Sequence, residues 1–228
     1  MVKLTYFGHA AFAIIGDNAS ILIDPWFKGN TLAAPLPDDF KADLILVTHG
    51  HYDHLGDAIE LSQKFGSPIL AVSELARYCL GLGAKAMVGH FGGTFKFDFG
   101  WVKFVPAWHS SSVGQKEFIY TGNPCGFLVH CGEKTIYHAG DTCLFSDMKL
   151  IGETAPIDVA LLPIGDRVTM GMEDALRAVK LLQPKVVIPM HYNTWEAINQ
   201  DPYKFKLMVE GDTPAKCIVL DPGQGHEL

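Results

Sequence analysis

The alternation of apolar and polar residues along this chain predicts an α/β protein. Residues 2–7, 11–15 and 20–24 read as three short strands, the last two joined across the turn residues Gly16-Asp17-Asn18. Asp24-Pro25-Trp26 ends the third strand. Residues 43–47 form a continuous apolar run of the kind a fully buried strand needs. Helical spacing follows over 57–65 and stops at Gly66. A strand at 69–72 leads into a second helix, with Ser73 as its cap and Gly81 and Gly83 ending it. Residues 94–99 and 101–105 predict a hairpin about Gly100, and 126–131 with 135–138 predict another across Gly132-Glu133-Lys134. Apolar strands at 157–162 and 185–190 flank an amphipathic helix over 172–182, whose first turn carries Glu173 and Asp174. Residues 195–210 read as helix with a break at Asp201-Pro202, and 216–220 as a last strand. The loop 27–40, with Pro35 and Pro37, has no periodicity and is a candidate border of a substrate pocket. No linker or low-complexity tract interrupts the pattern, so residues 1–228 are read as one domain.

Four times in this pattern an apolar strand runs directly into a residue able to bind metal. The strand over 43–47 ends at Thr48 and releases His49-Gly50-His51-Tyr52-Asp53-His54. His49 and His51, two apart on extended backbone, point the same way. Asp53 and His54 follow a turn and point elsewhere, towards a second ion. The 101–105 arm delivers His109, the 135–138 arm leads into Gly140-Asp141-Thr142, and the 185–190 strand ends at His191. Strand ends on one edge of an α/β layer converge on one crevice. Imidazole and carboxylate suit zinc, iron or manganese, and no thiolate lies nearby. Asp141 has a second reading, as the cap of a helix beginning near Cys143. His9, at the break Gly8-His9-Ala10, and His138, beside the Asp141 turn, are candidates to hydrogen-bond a ligand or pass a proton; simple satisfaction of backbone groups is the competing reading.

Charge and composition narrow the partners. A formal net charge of −7 argues against nucleic acid, whose binding is driven by clustered Lys and Arg. Five cysteines without a C-x-x-C pair read as reduced thiols, and the opening Met1-Val2-Lys3-Leu4-Thr5 enters a strand with no signal-peptide pattern. No apolar run approaches the ~18 residues that crossing a membrane requires. The expectation is a cytoplasmic protein acting on a small molecule, and a homo-oligomer is compatible with it. In the loop 165–171 Arg167 is the only fixed positive charge. It either clamps an anionic substrate group or pairs with Asp166 or Glu173 at the surface.

The ordered set H-x-H-x-D-H, His109, Gly140-Asp141-Thr142 and His191 resembles the ligand set of the metallo-β-lactamase superfamily. Gly8-His9-Ala10, the stretches 106–111 and 189–194, and Thr169-Met170-Gly171 resemble its small metal-dependent hydrolases related to ascorbate-6-phosphate lactonase. The likeness covers nearly the whole chain, and Arg167 lies outside it. It implies a four-layer αββα sandwich. It also implies His49, His51 and His109 on one ion, Asp53, His54 and His191 on another, and Asp141 bridging. Two divalent ions follow, zinc by preference, with manganese, iron or nickel also suited. The implied activity is hydrolysis of an ester-type bond, in a lactone, phosphodiester or thioester, by a water held as hydroxide between the ions. Asp53 is then counted with His9 and His138 among the catalytic candidates. An RNA or cyclic-nucleotide phosphodiesterase and a non-catalytic metal-binding protein are the alternatives. The di-iron redox members carry Glu where this chain has His51, which disfavours an oxidoreductase.

Overall fold

The computed structural model describes residues 1–114 and 116–228. The chain builds the first of two seven-stranded sheets with β1 (Lys3–Gly8), β2 (Ala11–Gly16), β3 (Ala19–Ile23), β4 (Leu44–Leu46), β5 (Ile69–Val72) and β6 (Ala86–Gly89). It then crosses to the second sheet with β7 (Thr94–Phe97) and β8 (Gly100–Pro106). A two-stranded ribbon, β9 (Ser112–Val113) and β10 (Ile119–Tyr120), leads on to β11 (Cys125–Cys131), β12 (Lys134–His138), β13 (Val159–Pro163), β14 (Val186–Met190) and β15 (Lys216–Cys217). The last strand, β16 (Gly225–Glu227), returns to the first sheet beside β1.

Tight turns join antiparallel neighbours in each sheet, and the parallel neighbours are joined by longer crossover connections. β1–β2–β3 and β7–β8–β11–β12 are antiparallel; β3–β4–β5–β6 and β12–β13–β14–β15 are parallel. The helices α1 (Tyr52–Leu55), α2 (Ala58–Phe65), α3 (Ser73–Gly81), α4 (Met148–Thr154), α5 (Met172–Leu182) and α6 (Pro202–Asp212) lie in those crossovers. Parallel strands covered on both faces read as unbroken apolar runs, and Leu44-Ile45-Leu46 and Val159-Ala160-Leu161-Leu162 are buried throughout. α5 buries Ala175, Ala178, Val179 and Leu182, a stripe at three- and four-residue spacing. α6 starts on Asp201, whose carboxylate accepts from the Tyr203 and Lys204 amides, with Pro202 in the first turn; such a cap stabilises by about 1 kcal/mol. Helix, sheet, sheet and helix stack into the four-layer αββα sandwich around one apolar core that draws on both sheets. Among the described residues no helix is long and apolar enough to cross a membrane.

Local expectations fail in a few places. No helix begins near Cys143; α4 starts at Met148, so Asp141 caps nothing. Ser73 opens α3 without a side-chain capping bond. The expected strand over 216–220 is only Lys216–Cys217, because the chain turns through Asp221–Gln224 to reach β16. β6, β9, β10 and β16 were not expected; they are short edge or ribbon strands with little apolar patterning.

Candidate metal centre

The site is assembled where the ends of the two sheets meet. β3 and β4 run parallel, so Asp24 and Thr48, each just past its strand, come side by side. Thr48 donates its backbone N–H to Asp24 Oδ1 (2.8 Å) and its hydroxyl to Asp24 Oδ2 (2.7 Å). The carbonyl of Thr48 accepts from the Cys125 amide at the head of β11, tying one sheet to the other at this point. Beyond Thr48 the chain presents His49 and His51, and α1 then carries Asp53 and His54. His109 arrives from the turn after β8, Asp141 from the turn after β12, and His191 from the end of β14.

These residues converge on the Asp141 carboxylate. Its Oδ2 lies 3.1 Å from His191 Nε2, 3.5 Å from His109 Nε2 and 3.9 Å from His49 Nε2, and its Oδ1 lies 3.2 Å from His54 Nε2. His51 Nδ1 is 3.0 Å from His49 Nε2. Asp53 Oδ2 is 3.7 Å from His191 Nε2 and 3.8 Å from His54 Nε2. The donor atoms of His49, His51 and His109 lie within 4.8 Å of one another; so do those of His9, Asp53, His54 and His191, and those of His49, His54 and Asp141. Yet His54 Nε2, His191 Nε2 and Asp141 Oδ1 are buried without an aligned hydrogen bond. Leaving a buried polar atom unpaired costs about 1–3 kcal/mol. Several such atoms aimed at one another, all imidazole or carboxylate, fit a divalent cation between them.

The surrounding hydrogen bonds turn the ring nitrogens inward. The Thr48 hydroxyl spends its proton on Asp24, so at 3.0 Å it accepts from His49 Nδ1–H and leaves the His49 Nε2 lone pair facing Asp141. His54 Nδ1–H donates to Asp24 Oδ2 at 2.7 Å, with the same consequence for its Nε2. Burial holds the pKa of His49, His51 and His109 below the ordinary imidazole value, keeping them in the neutral form that binds metal. Burial acts the same way on His54 and His191, but the Asp141 carboxylate outweighs it, and His191 is raised to about 9. Burial pushes Asp53 and Asp141 up; their histidine neighbours overcome it and hold both well below the usual carboxylate range. The centre therefore demands positive charge beside two ionised carboxylates.

His9 belongs to this neighbourhood. Its Nε2 is 3.1 Å from Asp53 Oδ2, its Nδ1 2.8 Å from Thr194 Oγ1, and its ring lies 3.9 Å from that of His191. Burial, and then His191, lower its pKa to about 4, so it is neutral. Its carbonyl accepts from the His191 amide at 2.7 Å. His9, Asp24 and His191 all have positive φ (55°, 45° and 56°), a conformation costing non-glycine residues of order 1 kcal/mol or more and concentrated at functional sites.

The other expected residues lie apart. His138 is fully buried, but its Nε2–H donates to the Ala10 carbonyl (3.0 Å) and its Nδ1 accepts from the Gly140 amide (3.1 Å). Both nitrogens are thus committed to backbone, which corrects the expectation of a ligand contact or a proton transfer; His138 holds the turn that aims Asp141. Arg167 is exposed, forms no ion pair among the described residues and does not line the cleft; its neighbour Val168 does. The first turn of α5 opens instead on a separate hollow beside Gln200 and Lys204.

The centre floors a cleft of about 630 Å³. His51, Asp53, His109, Asp141 and His191 form its base, and Tyr52, Phe118, Val168 and Trp195 stand in its walls. Asp24, Thr48 and these wall residues escape a reading of the sequence. The one available sign was Asp24 itself, an acidic residue closing an apolar strand.

The chain as a whole is similar to several known proteins. A family model described as a beta-lactamase superfamily domain matches residues 3–191. A UPF0173 metal-dependent hydrolase of Pelotomaculum thermopropionicum is 52% identical over 229 residues, covering 100% of both chains. A protein of the same description from Thermococcus kodakarensis is 50% identical over 233 residues, again covering 100% of both. Among solved structures, Igni18, described as a novel metallo hydrolase from Ignicoccus hospitalis, superposes with a TM-score of 0.90 at 41% identity, covering 100% of this chain and 99% of that one.

Proposed function

Since the chain belongs to the UPF0173 metal-dependent hydrolases of the β-lactamase superfamily, we propose that its centre holds two divalent ions and cleaves an ester-type bond in a small molecule. His49, His51 and His109 would hold one ion, and Asp53, His54 and His191 the other. The observation that carries this reading is the position of Asp141, whose carboxylate has His191, His109 and His49 around Oδ2 and His54 at Oδ1, so that it meets members of both histidine sets. A carboxylate with two oxygens can serve two ions at once, and so many donors exceed what one tetrahedral ion takes. Zinc suits the donor set, as do manganese, iron and nickel.

Ions bound there supply Lewis acidity and lower the pKa of water towards 7, which is the chemistry an ester-type bond requires. The protein's own part is orientation. Asp24 and Thr48 hold the rings of His54 and His49, and neutral His9 donates to Asp53 and keeps that carboxylate turned inward. Asp53 and Asp141 stay ionised throughout the neutral range. The cleft volume is that of a small-molecule site.

A hydrolysis screen over carboxylic esters, lactones, thioesters and phosphodiesters tests the proposal, with metal-loaded protein compared against His51→Ala and Asp141→Ala. His51 stands half-buried at the rim, so its removal should spare the fold while abolishing nearly all turnover. Wild-type rates in either variant would refute the assignment.

A further inference from the structure

We propose that the group this cleft takes beside the scissile bond is apolar and uncharged, an acyl chain or an aryl ring, seated among Tyr52, Trp195, Phe118 and Val168. The inference rests on the hydrolase reading and deepens it by naming a substrate class.

The four wall residues come from four separate segments: α1, the turn just before ribbon strand β10, the loop after β13 and the loop after β14. Three of them are open to solvent, Tyr52 at 60%, Phe118 at 71% and Val168 at 46%. A single exposed apolar side chain is ordinary, but several converging from distant parts of the chain on one mouth mark a binding surface. The Tyr52–Trp195 wall is also built in advance. Buried Trp26 stands behind it, its ring 5.6 Å from that of Tyr52 and 5.9 Å from that of Trp195, and Trp195 rests 5.0 Å from the His9 ring. Aromatic groups packed against one another in this way keep a fixed shape and lose little freedom when a ligand arrives.

Charge points the same way. Among the described residues no Lys or Arg lines the cleft, and apart from the metal-binding floor of His51, Asp53, His109, Asp141 and His191 its lining carries no charged side chain. A phosphate or carboxylate held away from the metal floor would find no guanidinium or ammonium to pair with, and binding such groups normally depends on one. Arg167, next to Val168, lies outside the lining. A neutral, apolar group would cover the exposed rings and leave no charge unpaired.

Two measurements on the metal-loaded full chain test this. The first is kcat/KM for the p-nitrophenyl esters of acetate, butyrate and octanoate, with bis(p-nitrophenyl) phosphate for comparison, in wild type, Phe118→Ser and Val168→Ser. The octanoate-to-acetate preference in wild type should be roughly tenfold or more and should fall several-fold in each variant, with folding and metal content retained. The second is fluorescence titration with the neutral probe N-phenyl-1-naphthylamine, whose Kd should rise by a similar factor in the variants but not in Leu207→Ser, at an exposed apolar residue outside the cleft. If the probe binds and the variants weaken it while no ester or phosphodiester is hydrolysed, the hydrolase reading fails and the apolar site stands. A flat chain-length profile together with an unchanged probe Kd in both variants overturns the proposal. So does sedimentation in which Phe118→Ser dissociates a dimer, since a second copy would then be what covers the patch.

Discussion

Asp24 Oδ2 lies 2.7 Å from His54 Nδ1, and neither side chain is open to solvent. The same carboxylate accepts two hydrogen bonds from Thr48, whose hydroxyl in turn orients His49. One acidic residue thus aims two candidate ligands. Asp24→Asn keeps the size and tolerates positive φ, but it removes the charge and gives up one acceptor. Metal affinity should fall roughly 10–100-fold, the usual consequence of losing such a partner, as measured by competition with a chelator. Asp24→Ala should also lower the melting temperature, because Thr48 and His54 would keep unpaired buried donors. Unchanged affinity in both variants would contradict the role.

Gly140 precedes Asp141 at φ 61°, where a Cβ would lie 2.8 Å from the Cys125 carbonyl oxygen and 3.0 Å from Thr48 Cβ. Gly140→Ala should destabilise the fold by about 1–3 kcal/mol and displace the Asp141 carboxylate, reducing bound metal. Gly81→Ala, at a position with open space and no positive φ, is the control and should leave urea unfolding within about 1 kcal/mol of wild type. Equal midpoints for the two variants would show that the turn carries no constraint.

The pH response follows from His191, raised to about 9 chiefly by Asp141 overcoming burial. In metal-free protein it is protonated at pH 7, so a metal ion must displace that proton. Apparent metal affinity should therefore rise with pH from 6 towards 9. The contribution of His191 itself to the stability of the metal-free fold, read as the difference between wild type and His191→Gln, should move the opposite way. A folded pKa above the unfolded one stabilises fully below about 6.5, and that contribution is lost as pH rises through about 9. Chelator competition and thermal melts at pH 6, 7.5 and 9 test both signs, and His191→Gln should flatten the affinity slope. Affinity independent of pH would contradict the account.

Arg167→Ala should change KM by less than about twofold for charged and neutral substrates alike, because an exposed residue outside the cleft wall has only weak, screened interactions to offer. A selective rise in KM for an anionic ester would restore the clamp expected from its place in the loop.

The candidate ligands were legible because each follows a buried strand, and strand ends on one edge must share a crevice. The span of α5 was legible from its apolar stripe and acidic first turn. What escaped depends on tertiary adjacency. Asp24 matters only because β3 and β4 pair, and His138 is satisfied by Ala10, 128 residues away in the chain. The helix expected near Cys143 is absent because the backbone there is spent elsewhere. The Cys143 amide donates to the Trp108 carbonyl, and the Thr142 carbonyl accepts from the Met170 amide. The polar edge strand β16 carries no periodic signal to read.

The central claim is that Asp141 joins two cation sites, and elemental analysis tests it most directly. Protein loaded with zinc or manganese and dialysed should carry about two ions per chain. His109→Ala should retain close to one, and Asp141→Ala should lose both. Wild-type protein that is folded yet binds only one ion, or none, would contradict the account.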